Sequence, residues 1–361
     1  MSRISQLAEA LRNNQIDAFF AQAPISMGYL HGFWESSHER FLTLAISSTG
    51  EIRLICPSLS AAQAARVGIQ DIRTWADGED PYELVRELAS DWNLKTGIVA
   101  VDDDMPAAML LGLENALPTA LFRAGGASIS SVMRSKDADE LDLLTRSGSI
   151  ADRTFDSLLG FLRPGLTERQ IERFINESML DLGGKPTFCI VGTGSGGAEP
   201  HHLTGNTVVQ DGDTVVLDFG CSLEGYQSDI TRTVAIGSAS EESQKVYDVV
   251  FRAHMAAREA IRPGVTSHEV DAAARAVIEE AGYGPQFFHR TGHGIGLHGH
   301  EEPYIAPGNT TVLEVGDCFS IEPGIYLEGK FGVRIENIVT VTETGHRSFN
   351  DDPSASITVV G

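Results

Sequence analysis

The run Val209-Gln210-Asp211-Gly212-Asp213-Thr214-Val215-Val216-Leu217-Asp218 has a counterpart in Leu313-Glu314-Val315-Gly316-Asp317-Cys318-Phe319-Ser320-Ile321-Glu322. In both, Gly-Asp opens an apolar run, and a carboxylate follows five residues after that Asp. A short apolar run opening at a glycine reads as a buried strand. Upstream lies a second echo: Leu162-Arg163-Pro164-Gly165-Leu166-Thr167 matches Ile261-Arg262-Pro263-Gly264-Val265-Thr266. In each copy Thr opens an amphipathic helix that closes in glycine, and Thr167 with Gln170 forms a capping box. Two echoes in the same order at nearly equal offsets argue for duplicated halves. A pseudo-two-fold domain then brings Asp218 and Glu322 to equivalent places on one sheet.

Each of these acids leads to a second. Asp218 is followed by FGCSLEGYQS and Asp229, and Glu322 by PGIYLEGKFGVRI and Glu336. Both stretches read as strand, glycine turn, strand, with Gly225 and Gly329 at the turns. Hairpins fold their strands side by side, so each pair of acids faces one point. Four acids converging among apolar strands cannot all stay ionised without a cation. Divalent ions resolve that conflict, and carboxylates with an imidazole favour Mn²⁺ over Mg²⁺. The segment FHRTGHGIGLHGHEEP offers His289, His293, His298 and His300. Asp211, Asp213 and Asp317, at strand starts, read instead as turn or capping residues.

The first ~125 residues alternate helix-like and strand-like segments, as in a small α/β domain. They comprise an amphipathic opening helix, FLTLAIS, IRLICP and GIVAVDDD, with Gly50 at a hairpin turn. Gly125-Gly126 precedes a long helical pattern from near Ser135. The expected domains are 1–128 and 129–361. At 361 residues the chain has room for two cores. A net charge of -23 repels phosphate backbones and sets nucleic acid aside as a partner. No window reaches the ~18 apolar residues of a membrane span, and the N-terminus lacks the apolar stretch of a signal peptide. Cys56, Cys189, Cys221 and Cys318 are scattered, as expected of reduced thiols in a cytoplasmic protein.

The ordered motifs LDFGCSLEGYQSDITRT, HRTGHGIGLHGHEEP, FSIEPGIY and GVRIENIV closely resemble the Xaa-Pro peptidases of pita-bread fold: prolidase (Xaa-Pro dipeptidase), aminopeptidase P and their relatives. The resemblance is strong over roughly 130–355, and the N-terminal part is similar to the smaller domain shared with creatinase. It implies an α/β (α+β) two-domain protein, a creatinase-like α/β domain followed by a pita-bread domain with a pseudo-two-fold repeat. It further implies two divalent ions per chain, Mn²⁺ preferred and Co²⁺ or Zn²⁺ as substitutes. Asp218, Asp229, His293, Glu322 and Glu336 would be the ligands, with Asp229 and Glu336 bridging and a metal-bridging hydroxide as nucleophile. Glu322 would carry the proton to the leaving nitrogen, while His201, His289 and His300 would face the substrate. Tyr326 and Arg334 would support the ligands. Gly299, after the extra His298, departs from the family's Ile or Val and leaves the role of His300 less fixed than that of His293. His202 and His298 read as structural or solvent-facing.

The resemblance implies short proline-containing peptides as substrates and a homodimer. Prolidase is favoured, with aminopeptidase P as the alternative. The free carboxylate of a dipeptide needs a cation, for which Arg334 or Arg40 stands ready. Methionine aminopeptidase shares the catalytic half without such an N-terminal domain, and creatinase lacks the ligand set. A lyase, or a peptide-binding module that has lost its ligands, would be a different class on the same fold.

Overall fold

The computed structural model describes residues 2–36 and 38–361. They form two compact units, one ending at Met133 and one running from Arg134 to Gly361. The boundary expected at 128/129 would cut α6 (Gly126–Met133), a helix that packs on α1 (Arg3–Asn13) inside the first unit.

In that unit α1 starts at Ser2, whose hydroxyl accepts from Ser5 N at 3.2 Å, and buries Leu7, Ala8 and Leu11. A six-stranded mixed sheet is built from β1 (Ala18–Ala21), β2 (Thr43–Ser47), β3 (Ile52–Pro57), β4 (Ile72–Trp75), β5 (Ile98–Val101) and β6 (Leu121–Ala124). Its order is β4-β3-β2-β1-β5-β6. β2 and β3 form the expected hairpin, with Gly50 at φ 89° in its turn. Helices α2 (Pro24–His31), α3 (Ala61–Arg66), α4 (Tyr82–Asp91) and α5 (Ala107–Ala116) complete the unit. Asp102, buried just after β5, accepts from Gln22 N, Ala23 N and Ser26 Oγ and so fixes the start of α2.

The second unit opens with α7 (Ala138–Leu159), started by a capping box of Asp137 and Glu140. Its first half is α8 (Glu168–Asp181), β7 (Lys185–Thr193), β8 (Thr214–Leu223), β9 (Tyr226–Gln227) and β10 (Ile230–Ile236). α9 (Glu241–Ala260) leads to the second half: α10 (Ser267–Glu280), β11 (Gly292–Gly294), β12 (Glu301–Ile305), β13 (Cys318–Ile321), β14 (Gly324–Leu327), β15 (Phe331–Arg334) and β16 (Asn337–Val341). β17 (His346–Ser348) and β18 (Thr358–Val360) follow.

The repeat is visible in local detail. Thr167 with Gln170 caps α8, and Thr266 with Glu269 caps α10 by the same reciprocal bonds. Single bridges Thr167–Val208 and Thr266–Val312 tie the two helix starts to matching loops. Asp213 accepts from Gln210 N at 2.7 Å and Asp317 from Glu314 N at 2.8 Å, so both aspartates serve the turns before their strands. Each half has its own core: Ile171, Ile175, Val215 and Leu217 in one, Val270, Ile278, Phe319 and Ile321 in the other. Burying each such side chain contributes about 1.5–3 kcal/mol.

The equivalent strands lie in two sheets rather than the one expected. One has the order β18-β10-β8-β7, with β9 beside β8; the other runs β12-β11-β13-β16-β17. The hairpin of β14 and β15 is inserted between β13 and β16, and among the described residues the backbone pairing between the two sheets is a single bridge, Thr231–Glu336. No helix among the described residues is long and apolar enough to cross a membrane.

Candidate metal centre

The four acids sit where the two sheets meet. Asp218 lies mid-strand on β8, opposite Ile190 of β7 and Thr231 of β10. Asp229 immediately precedes β10 in the chain. Glu322 follows β13, and Glu336 stands between β15 and β16. Thr231 ties the halves together: its carbonyl accepts from Glu336 N at 3.0 Å and its hydroxyl donates to Glu336 Oε2 at 2.6 Å.

Arg334 is the counter-charge inside this group and is almost wholly buried. It donates to Asp218 Oδ2 at 2.5 Å, to Tyr326 Oη at 2.8 Å and to Thr231 Oγ1 at 3.2 Å. One guanidinium does not balance four acids. Burial, then the charges of Glu336, Asp218 and Glu322, hold Asp229 well above the usual carboxylate range. Burial and the charges of Glu322 and Asp218 do the same to Glu336. Burial pushes Glu322 up to about 7, against Arg334 and with Asp218.

Three oxygens in the group are buried without a hydrogen-bond partner: Asp218 Oδ1, Asp229 Oδ1 and Glu336 Oε1. Such atoms cost free energy unless something else meets them. His293 points to what that is. Its Nδ1 lies 3.0 Å from Gly294 O and so carries the proton. Burial, with His300 beside it, lowers its pKa to about 3, so the ring is neutral. The Nε2 lone pair therefore faces acceptors, Glu322 Oε1 at 3.4 Å and Asp229 Oδ2 at 3.7 Å. A lone pair opposite ionised carboxylates is repulsive until a proton or a cation lies between them. Asp229, His293 and Glu336 each offer a ligand atom, all within 4.8 Å of one another. The donor set fits a divalent metal.

These groups open onto a cavity of about 1430 Å³. Asp218, Asp229, His293, Glu322, Glu336, His201, His289, His300, Tyr326 and Arg334 all line it. Arg40 does not. It belongs to the first unit, where its guanidinium meets Asp77 and Glu39.

His289 is engaged at both nitrogens. Nδ1 donates to Arg290 O at 2.6 Å, and Nε2 accepts from Tyr326 Oη at 2.9 Å, since that hydroxyl already accepts from Arg334. Burial holds the ring near pKa 4, hence neutral. Neither nitrogen is left for a substrate carbonyl, so His289 holds Tyr326 in place. His300 differs. Its Nδ1 accepts from Arg290 at 3.2 Å, which leaves Nε2–H as the free donor. His298 sits half-buried, its carbonyl accepting from Gly296 N, and is not among the lining residues.

Two buried carboxylates hold the histidine-bearing segments from behind. Glu168, the first residue of α8, accepts from Thr193 N, Gly205 N and His202 Nε2. It thereby frames the loop that carries His201, and His202 becomes part of that frame. Asp271 of α10 accepts from Thr291 N and Oγ1 and from both arms of Arg275. It anchors the chain between His289 and His293. A single acid within a helix carries no signal that separates it from a solvated one. The glycines of Thr291-Gly292-His293-Gly294 were a better clue: a Cβ at Gly292 would lie 1.8 Å from Ser320 O, and one at Gly294 2.3 Å from Glu302 O.

Residues 142–343 match Metallopeptidase family M24, and residues 3–132 match the Creatinase/Prolidase N-terminal domain. Probable dipeptidase PepE of Mycobacterium tuberculosis (strain H37Rv) is 42% identical over 95% of this chain and 93% of its own length. The Xaa-Pro dipeptidase of Lactobacillus helveticus is 36% identical over 96% of each chain. Among solved structures, dipeptidase PepE from Mycobacterium ulcerans superposes with a TM-score of 0.93 at 40% identity, covering 99% of this chain and 97% of that one. The chain belongs to metallopeptidase family M24, and carries the creatinase/prolidase N-terminal domain ahead of it.

Proposed function

We propose that this protein is a dinuclear-metal Xaa-Pro dipeptidase. The observation that carries the reading is the neutral His293 lone pair facing carboxylates beside three unpartnered carboxylate oxygens. Asp218, Asp229, His293, Glu322 and Glu336 would hold the metal, Asp229 and Glu336 being shared between two ions. Mn²⁺ suits a donor set of four carboxylates and one imidazole, with Co²⁺ or Zn²⁺ as substitutes. When bound, the metal supplies Lewis acidity toward the scissile carbonyl and acidity to a water.

The chain's own groups do the rest. Glu322 would take a proton from the attacking water and deliver it to the proline nitrogen. The water oxygen ends on the carbonyl carbon, the C–N bond breaks, and the products are a free amino acid and proline. His300 Nε2–H and His201, both on the cavity wall, would meet the carbonyl oxygen as charge grows on it. His289, Tyr326 and Arg334 form the chain of bonds that keeps Asp218 oriented.

The names of the relatives support a dipeptidase over an aminopeptidase. A homodimer accompanies this reading by family resemblance, and the scattered cysteines support the cytoplasm as its place. The test is proline release from an Xaa-Pro dipeptide and from an Xaa-Pro-Xaa tripeptide, with Mn²⁺ and with chelator. Cleavage of the dipeptide alone, abolished by chelator, is expected. Preference for the tripeptide would make the enzyme an aminopeptidase P, and cleavage of neither with metal bound would sink the reading.

A further inference from the structure

A dipeptide ends in a carboxylate one residue from the scissile bond. Taking that carboxylate out of water needs a cation with N–H groups to spare. The inference below rests on the Xaa-Pro dipeptidase reading and deepens it.

The described residues lining the cavity include three permanent cations: Arg290, Lys330 and Arg334. Arg334 is spent on Asp218, Tyr326 and Thr231. Lys330 is tied to Glu242 by contacts of 2.7 and 3.1 Å. Arg290 differs from both. Among the described residues it has no carboxylate partner; it meets only the π-face of Tyr304, 4.4 Å from the ring centre, and His300 Nδ1 at 3.2 Å.

That arrangement suits a waiting anion site. The ring face of Tyr304 holds the guanidinium without using up its N–H groups, and those not spent on His300 can form a fork with a carboxylate. One arm is already used on His300, and that bond sets which nitrogen of His300 carries the proton. Arg290 also lies in the chain between His289 and His293. Its bond to His300 places it beside a group that would face the scissile carbonyl. The remaining charge of the cavity disfavours any other seat. Glu199, Glu242 and Glu328 line it, on a chain of net charge -23.

We propose that Arg290 binds the free C-terminal carboxylate of the substrate and is the residue that makes dipeptides preferred over longer or capped peptides. The fork fits the two oxygens of the proline carboxylate and disfavours a C-terminal amide, which is uncharged and sets an NH2 donor in place of one acceptor.

The experiment compares kcat/KM for Leu-Pro and for Leu-Pro-amide on the Mn²⁺-loaded enzyme, in wild type, Arg290→Ala and Arg290→Lys. Because each ratio is taken on one preparation, partial loss of folded protein cancels. Wild type is expected to favour the acid. In Arg290→Ala the acid-to-amide ratio should fall about tenfold to a hundredfold, mostly through KM for the acid, as loss of a charge-assisted bond predicts. Arg290→Lys should fall between, keeping the charge without the fork. Equal losses on both substrates in Arg290→Ala would overturn the proposal and leave Xaa-Pro hydrolysis standing. So would a wild type indifferent to the amide. A wild type that cleaves neither substrate would overturn the dipeptidase reading and this inference with it.

Discussion

The halves of the second unit share a plan and divide the labour. Each presents an acid after a Gly-Asp strand start, adds a second acid across a glycine turn, and caps its helix with the same Thr box. The imidazoles break the symmetry. β7, nine residues long, sends Phe188 and Ile190 to the cavity wall and the loop after it sends His201, while the second half sends three imidazoles, His289, His293 and His300. The carboxylates behind them also differ. Glu168 acts from the first residue of α8, whereas Asp271 acts from the second turn of α10. Duplication supplied matched acids; the connections between strands set what each half does with them.

The comparison breaks most sharply at the two acids proposed to bridge. Asp229→Ala in one half and Glu336→Ala in the other should strip metal and activity together, by more than about a thousandfold in kcat. Metal per chain and proline release are the readouts, and a variant that keeps two ions would end the bridging assignment.

Next in size is Arg334→Met, which cuts the link between Asp218 of the first half and Tyr326 of the second. It leaves a buried charge unpaired, and about 3–5 kcal/mol of stability should be lost in chelated protein. Urea melts with and without Mn²⁺ test this, since metal on Asp218 should recover part of the loss.

The two rear carboxylates sharpen the contrast. Asp271→Asn and Glu168→Gln should each cost about 1–3 kcal/mol. Only Asp271→Asn should also weaken metal affinity, by about tenfold to a hundredfold, because only its segment leads to His293. Equal metal loss in both would show that the halves do not divide the work as described.

The smallest effect belongs to Asp152 of α7, which accepts from Asp351 N at 3.0 Å. Burial raises its carboxyl from 3.8 to about 6. The folded chain therefore holds a proton that the unfolded chain has released between about pH 4 and 6. Ionising Asp152 in place costs stability as pH rises through that window. Relative to Asp152→Asn, wild type should lose about 1–2 kcal/mol between pH 4.5 and 7 in paired denaturant melts. A gap that does not move with pH would remove Asp152 from this account.

Much of this was legible beforehand. Asp218, Glu322 and Glu336 stand in or directly beside apolar runs of sequence, where burial without a partner is costly, and that alone singles them out. The repeat of Thr, Gly-Asp and acid gave the pseudo-symmetry. What escaped depends on register and rotamer. Nothing in His289-Arg290 says that His289 spends both nitrogens on its surroundings while Arg290, among the described residues, has no carboxylate partner. The two-sheet arrangement also escaped, because the interruption at β14 and β15 looks in sequence like any other hairpin.

The bond between Thr231 and Glu336 spans 105 positions of chain. Loop closure over such a distance costs entropy before any contact rewards it. The ligand cluster therefore cannot assemble while the polypeptide is still collapsing; it exists only once both halves have docked. Ions that bind only at that stage would act as a late latch: unfolding should slow when metal is added, and the refolding rate should stay the same.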